Sequence, residues 1–286
     1  MVRVGTVWDS AVEAVRGRLG PLLPIAAATL FVPSVVQSAV QAYYPAVPDD
    51  AGRAGLSLLV TLALMVLGFW GALAITAVTS DPDVTRADAV RAATARLPAL
   101  LGVFVVMVLA ATLLMLPALV LIGASGADLS SLGQPGATPD IGGGTALALF
   151  LYILVALGLF LWVVARLLPL TPVVLHERLG LRAIGRAFSL TRGMGVRLVG
   201  ALLLFTIVLS IATLAATSVV GTVLTLVLGT ENAATAVFLG GVVGAVISAI
   251  LSLLAYAFSA RLYAMLTGRH LARVFEDGAR DEPRTA

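Results

Sequence analysis

The chain alternates between long runs of apolar residues and short polar segments that carry most of its charge. The apolar runs occupy residues 21–44, 56–79, 98–123, 145–168, 196–228 and 233–267. Each is long enough to cross a hydrocarbon layer about 30 Å thick, which needs about 20 helical residues. The pattern predicts an all-α fold, a polytopic bundle of six transmembrane helices. The last two runs exceed the required length by ten or more residues, so they must tilt, project beyond the bilayer or break, and 218–221 is the expected place of a break in the fifth.

Charge divides the polar segments into two sets. Seventeen of the eighteen arginines lie at the N-terminus, near 80–97, near 166–197 and from Arg261 onward, whereas the alternate segments hold only Arg53. Such an asymmetry is the positive-inside signal of membrane proteins. We therefore expect both termini on the cytoplasmic side of the membrane, which agrees with an even number of spans.

Composition supports lipid as the solvent of most of the chain. The residues are 60% hydrophobic and 12% charged, against about 45–50% and about 25% in soluble domains. Every basic side chain is arginine and Ala, Leu, Val and Gly abound, which is typical of a GC-rich bacterium and predicts a bacterial inner membrane. We expect one membrane domain over 1–270 and a cytoplasmic tail over 271–286. The arginines lie at membrane edges, so we expect no nucleic-acid partner.

An internal repeat links the arginine-rich segments. Ser10–Leu23 and Asp88–Leu101 are identical at seven of fourteen positions, and both contain an Arg-Leu pair where the next apolar run begins. Leu181–Leu203 follows the same pattern with less identity. We expect three pseudo-repeated hairpins of two spans, each preceded by a cytoplasmic amphipathic helix.

Helical periodicity describes these three short helices. In the first, Trp8, Val12, Val15 and Leu19 fall on one face, and in the third Leu181, Ile184 and Phe188 do so. The second has a mostly alanine face, and Thr85 followed by Asp88 predicts its N-terminal cap. Arginine opposite bulky apolar residues is typical of helices that lie in the membrane interface, although such helices also serve as plain connectors.

The residue types argue against catalysis and metal binding. The chain has no cysteine and two histidines, His176 and His270, and its acidic residues are scattered or paired in polar loops. We expect no enzyme activity, no metal site and no cofactor. The competing hypothesis of a membrane-embedded hydrolase would require His176 or Glu177 to line a pocket.

Five residues near the membrane edge are candidates for a specific role. They are Arg166, Glu177, Arg182, Arg186 and Arg261. Each either pairs across helices or contacts lipid head groups, with Glu177 as the nearest carboxylate for Arg166, and simple interfacial anchoring is the alternative for Arg166 and Arg261. We expect anionic head groups on the cytoplasmic face as partners, and a protein partner stays open.

Small residues mark the last apolar run. Gly240, Gly244, Ser248 and Ser252 recur at every fourth position. This stripe allows close helix approach, and it predicts packing within the chain in preference to a homodimer face.

One pattern supports a family resemblance. It comprises Arg166, Pro172-Val173-Val174, Glu177, Gly180, Ala183, Ser189-Leu190, Gly193 and Arg197. With the six-span layout, it resembles the membrane domain associated with bacterial glycerophosphoryl diester phosphodiesterases. The chain departs from the pattern at Arg178, where the family often has glycine. The family's activity belongs to a separate soluble domain, so the resemblance implies the membrane architecture without that reaction.

These observations lead to two hypotheses of function. The first is a non-catalytic integral membrane protein, either a scaffold or a lipid-interacting accessory protein. The alternative is a transporter of small molecules or lipids, since pseudo-repeats are common in transporters. A polar cavity that reaches the middle of the membrane would favour the transporter, and tight packing there would favour the first hypothesis.

Overall fold

The computed structural model describes residues 4–43, 51–81, 83–126 and 142–268, and these ranges form helices and short connections without a β-strand. The helices are α1 (Val4–Gly17), α2 (Leu19–Ala26), α3 (Val32–Tyr43), α4 (Ala51–Ser80), α5 (Arg86–Ala124), α6 (Gly143–Arg166), α7 (Leu170–Glu177), α8 (Ala183–Leu190), α9 (Gly195–Leu228) and α10 (Ala233–Leu266). A π-helical turn, Ala27–Phe31, joins α2 to α3. The predicted tail, 271–286, lies outside the described residues.

Six helical stretches are long and apolar enough to cross a membrane, which confirms the predicted all-α membrane architecture. The first combines α2, the π-helical turn and α3, and the others contain α4, α5, α6, α9 and α10. The expected break at 218–221 is wrong, because α9 is continuous. Gly221 instead lies against α10: a Cβ built on Gly240 would be 3.6 Å from the Gly221 Cα. The grouping into three repeated hairpins stays a prediction.

Helix α10 is the centre of the bundle, since α1, α3, α4, α7 and α9 all pack against it. Its small residues set these distances. A Cβ on Gly244 would lie 2.7 Å from the Thr217 Cγ2 of α9, and one on Gly241 would lie 2.6 Å from the Ser38 Oγ of α3. The glycine stripe therefore packs against two helices of the same chain.

The buried core lies at one end of the bundle, which we call the arginine-rich end because α1, α7 and α8 lie there. Residues 71–79 of α4 are all buried. Near the opposite end of the same helix, Leu56 and Leu59 are 64% and 65% exposed. Exposed leucines are expected where lipid is the solvent, so the opposite end of α4 is a lipid-facing segment.

The helical segments at the arginine-rich end bury alanine. The buried alanines are Ala11 and Ala14 in α1, Ala89 and Ala93 in α5, and Ala183 and Ala187 in α8. Two bulky apolar residues lie at the rim, with Trp8 38% and Leu181 56% exposed, whereas Val7 and Val15 of α1 are buried. The predicted apolar faces therefore lie partly against the protein, at Val15 and Ile184, and partly at the rim. Alanine permits close backbone packing, and large apolar side chains lose nothing by facing lipid.

The second amphipathic segment is not a separate helix, since α5 runs unbroken from Arg86 to Ala124. Its predicted cap is confirmed. The Asp88 backbone N–H donates to the Thr85 hydroxyl oxygen at 3.3 Å, and that hydroxyl donates to the Asp88 carboxylate at 2.6 Å.

Candidate functional site at the arginine-rich end

Helix α7 positions the centre of this end. Pro172, Val173, Val174 and Leu175 are all buried in it, and the helix packs against α4, α5, α8 and α10. It ends at Arg178, whose φ of 57° is left-handed. The short helix brings His176 and Glu177 to the edge of the core.

Glu177 forms the central polar contact of this edge. Arg186 Nε donates to its Oε2 at 2.9 Å, and the Tyr263 hydroxyl donates to its Oε1 at 3.0 Å. The His176 ring stacks on the Tyr263 ring with centroids 5.7 Å apart and planes inclined by 7°. One carboxylate thus ties α7 to both α8 and α10.

The suggested pair of Arg166 and Glu177 is not formed. Arg166 Nη2 donates to the Phe188 carbonyl at 3.0 Å, and Nε donates to the Thr191 hydroxyl at 3.4 Å. The guanidinium carbon also lies 5.0 Å from the centre of the Trp162 ring and 5.1 Å from that of Phe188. Arg166 therefore fastens the end of α6 to the end of α8.

The remaining predicted residues occupy different surroundings. Arg182 is exposed in the 3₁₀ turn Gly180–Arg182, while Arg186 is exposed but holds Glu177. Arg261 is half-buried on α10, two residues before Tyr263. The structure thus brings Glu177 and Arg186 together and leaves Arg182 apart from them at the surface.

Sequence reasoning missed the role of Arg18. Its guanidinium donates to the carbonyls of Val78 and Asp81 at 2.5 Å each and to that of Val84 at 2.9 Å. These carbonyls belong to the last turn of α4 and the following loop, where a helix leaves its carbonyls without partners. The available signal was the repeated Arg-Leu pair, which placed an arginine at the start of the span.

A separate cavity of about 310 Å³ lies between α3, α9 and α10, toward the end opposite the arginine-rich end. Its polar lining is Ser38, Gln41, Thr217 and Ser218. Ser38 lies nineteen residues after Leu19, so at 1.5 Å per residue it is about 28 Å along the span. Toward the middle of the bundle, Gly244 and Thr217 bring α10 and α9 into close contact.

Among the described residues, no group of three or more His, Cys, Asp or Glu side chains could hold a metal ion. Comparisons with protein-family models, with curated proteins and with solved structures found no match. The resemblance to the phosphodiesterase-associated membrane domain and the absence of enzyme activity both stay predictions.

Proposed function

We propose that this integral membrane protein is non-catalytic and binds anionic lipid head groups on its cytoplasmic face, as a membrane scaffold or lipid-interacting accessory protein. The proposal places it in a bacterial inner membrane with the arginine-rich end toward the cytoplasm. The resemblance to the phosphodiesterase-associated membrane domain agrees with such a role.

The observation that carries this proposal is an excess of exposed positive charge. Arg178, Arg182 and Arg192 are all exposed, and we call them the arginine rim. No ion pair holds any of them within the part of the chain that the structure describes. Glu177, the one acidic residue between Arg166 and Arg197, is already held by Arg186 and Tyr263.

Apolar side chains accompany the rim. Leu181 and Val196 are exposed large hydrophobic residues beside these arginines in sequence. Cationic and apolar groups together match the boundary between head groups and acyl chains. Each arginine near an anionic surface contributes about 1 kcal/mol.

Titration of dioctanoyl phosphatidylglycerol into the protein in a neutral maltoside detergent tests the proposal. Substituting Arg182→Gln and Arg192→Gln together is expected to cost about 2 kcal/mol, roughly a 30-fold weaker affinity. The loss is expected to shrink at high salt, because exposed charges are screened. Arg186 is unsuitable for substitution, because its loss would also release Glu177.

The matched control is Arg16→Gln with Arg91→Gln, which removes the same charge from two exposed arginines of α1 and α5. It is expected to change the affinity much less. Equal losses in both variants would reduce the effect to net charge, and no loss in either would refute the proposed role of the rim. A parallel titration with dioctanoyl phosphatidylcholine, which carries no net charge, measures the binding that does not depend on net lipid charge.

The cavity between α3, α9 and α10 favours the alternative, a transporter, because its polar lining suits a small uncharged molecule. Its position near one end of the bundle weighs against a path across the membrane. Uptake of a neutral solute into proteoliposomes that is abolished by Ser218→Leu, which would place a bulky side chain in the cavity lining, would support transport over the lipid-binding role.

A further inference from the structure

Arg166 is held more rigidly than any rim arginine. Its guanidinium lies near two aromatic rings, Trp162 and Phe188, whose centroids are 5.8 Å apart at an interplanar angle of 63°. Two hydrogen bonds, to the Phe188 carbonyl and the Thr191 hydroxyl, fix its orientation. The charged group therefore occupies one position at the junction of α6 and α8.

This cation lacks a counter-charge within the part of the chain that the structure describes, since no carboxylate pairs with it. A guanidinium carries five N–H donors, and the hydrogen bonds to Thr191 and Phe188 use one on Nε and one on Nη2. The remaining donors include both on Nη1. A half-buried cation at a membrane edge requires an anion or polar acceptors to offset its desolvation.

A second donor lies beside it. Trp162 is 39% exposed, and its indole Nε1 would be 3.2 Å from a Cβ built on Gly195, at the start of α9. This N–H finds no acceptor among the described residues. Because Gly195 has no side chain, α9 can approach this edge of the indole without crowding the N–H.

The surface next to these donors faces lipid. Leu159 and Phe160 precede Trp162 by less than one turn and Arg166 by about two turns, and both are exposed large hydrophobic residues on α6. An amphiphile whose anionic group met Arg166 could therefore lay its apolar chains along α6. Arginine and tryptophan at this depth match the phosphate level of a bilayer.

We propose that Arg166 and Trp162 form a binding site for the phosphate of one phospholipid, whose acyl chains lie against α6. The inference rests on the proposed lipid-binding function and adds to it a single defined site. The site recognises the phosphate and not the net charge of the lipid, so it accepts zwitterionic and anionic phospholipids. The arginine rim, by contrast, selects for net negative charge and is sensitive to salt.

Native mass spectrometry of the full chain, with dioctanoyl phosphatidylcholine titrated from detergent solution, tests this inference. We expect one saturable adduct that persists at high salt. Dioctanoylglycerol, which lacks the phosphate, and inorganic phosphate, which lacks the chains, are expected not to compete with it. Effective competition by dioctanoylglycerol would overturn the proposal, and competition by inorganic phosphate alone would reassign the site to free phosphate.

Three variants locate the site. Arg166→Gln is expected to weaken the adduct about tenfold or more, since it removes a charged hydrogen-bond donor. Trp162→Phe keeps a ring beside the guanidinium but removes the indole N–H, and it is expected to weaken the adduct several-fold. Arg192→Gln, the matched control from the rim, is expected to leave it unchanged.

An adduct of wild-type affinity in Arg166→Gln would overturn the proposal. If Arg166→Gln does not fold, Trp162→Phe decides, and unchanged affinity in that variant overturns it. The two proposals fail separately. Weaker phosphatidylglycerol binding in the rim variants together with an intact single phosphatidylcholine adduct supports both. Unchanged phosphatidylglycerol affinity in the rim variants with that adduct intact refutes only the proposed function.

Discussion

The contact between Gly71 of α4 and Thr29 is expected to leave no room for a side chain at position 71. A Cβ built on Gly71 would lie 2.2 Å from the Thr29 Oγ1 and 2.4 Å from its Cβ, against ordinary contacts of about 3.5–4.0 Å. Thr29 cannot turn away easily, because it is 2% exposed and its hydroxyl donates to the Ile25 carbonyl at 2.8 Å. Gly71→Ala must therefore push α4 away from the π-helical turn.

The size of the effect follows from two opposing contributions. Overpacking a close contact costs about 1–3 kcal/mol, whereas alanine in place of glycine favours a helix by about 1 kcal/mol. Gly68→Ala provides the second contribution alone, because a Cβ on Gly68 meets nothing within 4 Å. The difference between the two variants therefore isolates the clash and is expected to be about 1–3 kcal/mol.

Thermal unfolding in detergent, followed by circular dichroism, measures that difference. At about 2–4 °C per kcal/mol, Gly71→Ala is expected to melt roughly 2–12 °C below Gly68→Ala. Thr29→Gly removes both clashing atoms, so in that background Gly71→Ala is expected to cost less. Equal melting temperatures for Gly71→Ala and Gly68→Ala would refute the reasoning, as would an unchanged cost in the Thr29→Gly background.

Three further substitutions test the arginine-rich end by the same measurement. Arg18→Gln removes the donors that bind three carbonyls, and it is expected to lower stability by about 2 kcal/mol or more. Substitution of the exposed Arg16 by Gln is expected to change stability little. Equal effects of the two substitutions would contradict the stabilising role of the Arg18 hydrogen bonds. Arg178→Gly relieves a left-handed conformation that costs a non-glycine residue about 1–2 kcal/mol, so it is expected to be neutral or stabilising, whereas Arg182→Gly is expected to destabilise its helical turn. Tyr263→Phe keeps the stacked ring but removes the hydroxyl that bonds the carboxylate of α7, with an expected loss of about 1.5 kcal/mol; a variant as stable as the wild type would show that this hydrogen bond contributes nothing.

The long helices could be predicted from the sequence because lipid imposes a minimum length and an apolar composition on every span. The cap at Thr85 and the stripe of Gly240 and Gly244 could also be predicted. A cap depends on residues three apart, and a packing stripe depends on residues four apart. Such local signals survive in a single sequence whatever the tertiary arrangement is.

The partners of Glu177 could not be predicted, because Tyr263 is 86 residues away along the chain. The contact depends on how α7 packs against α10, and no local sequence pattern predicts that packing. The buried alanines of α1 and α8 escaped prediction for a different reason. Bulky apolar residues mark the buried side of a helix in water, but beside lipid they can lie outward while Ala11 and Ala187 face the protein.

The break expected near Gly221 shows a third kind of error. Glycine weakens an isolated helix in water by about 1 kcal/mol relative to alanine. Between packed membrane helices, glycine instead allows close approach, and Gly221 of α9 packs against Gly240 of α10. The sequence shows the glycine at position 221, but it does not show that α10 packs against it.

The central position of α10 also bears on how the protein is made. This helix leaves the ribosome after α1 to α9, yet α1, α3, α4, α7 and α9 all pack against it. Membrane helices are inserted first and associate afterwards. The earlier spans are therefore inserted in the bilayer before their common partner, and the contacts of α1, α3, α4, α7 and α9 with α10 can form only late. Arrest of translation before Ala233 would leave inserted helices that cannot assemble into this bundle.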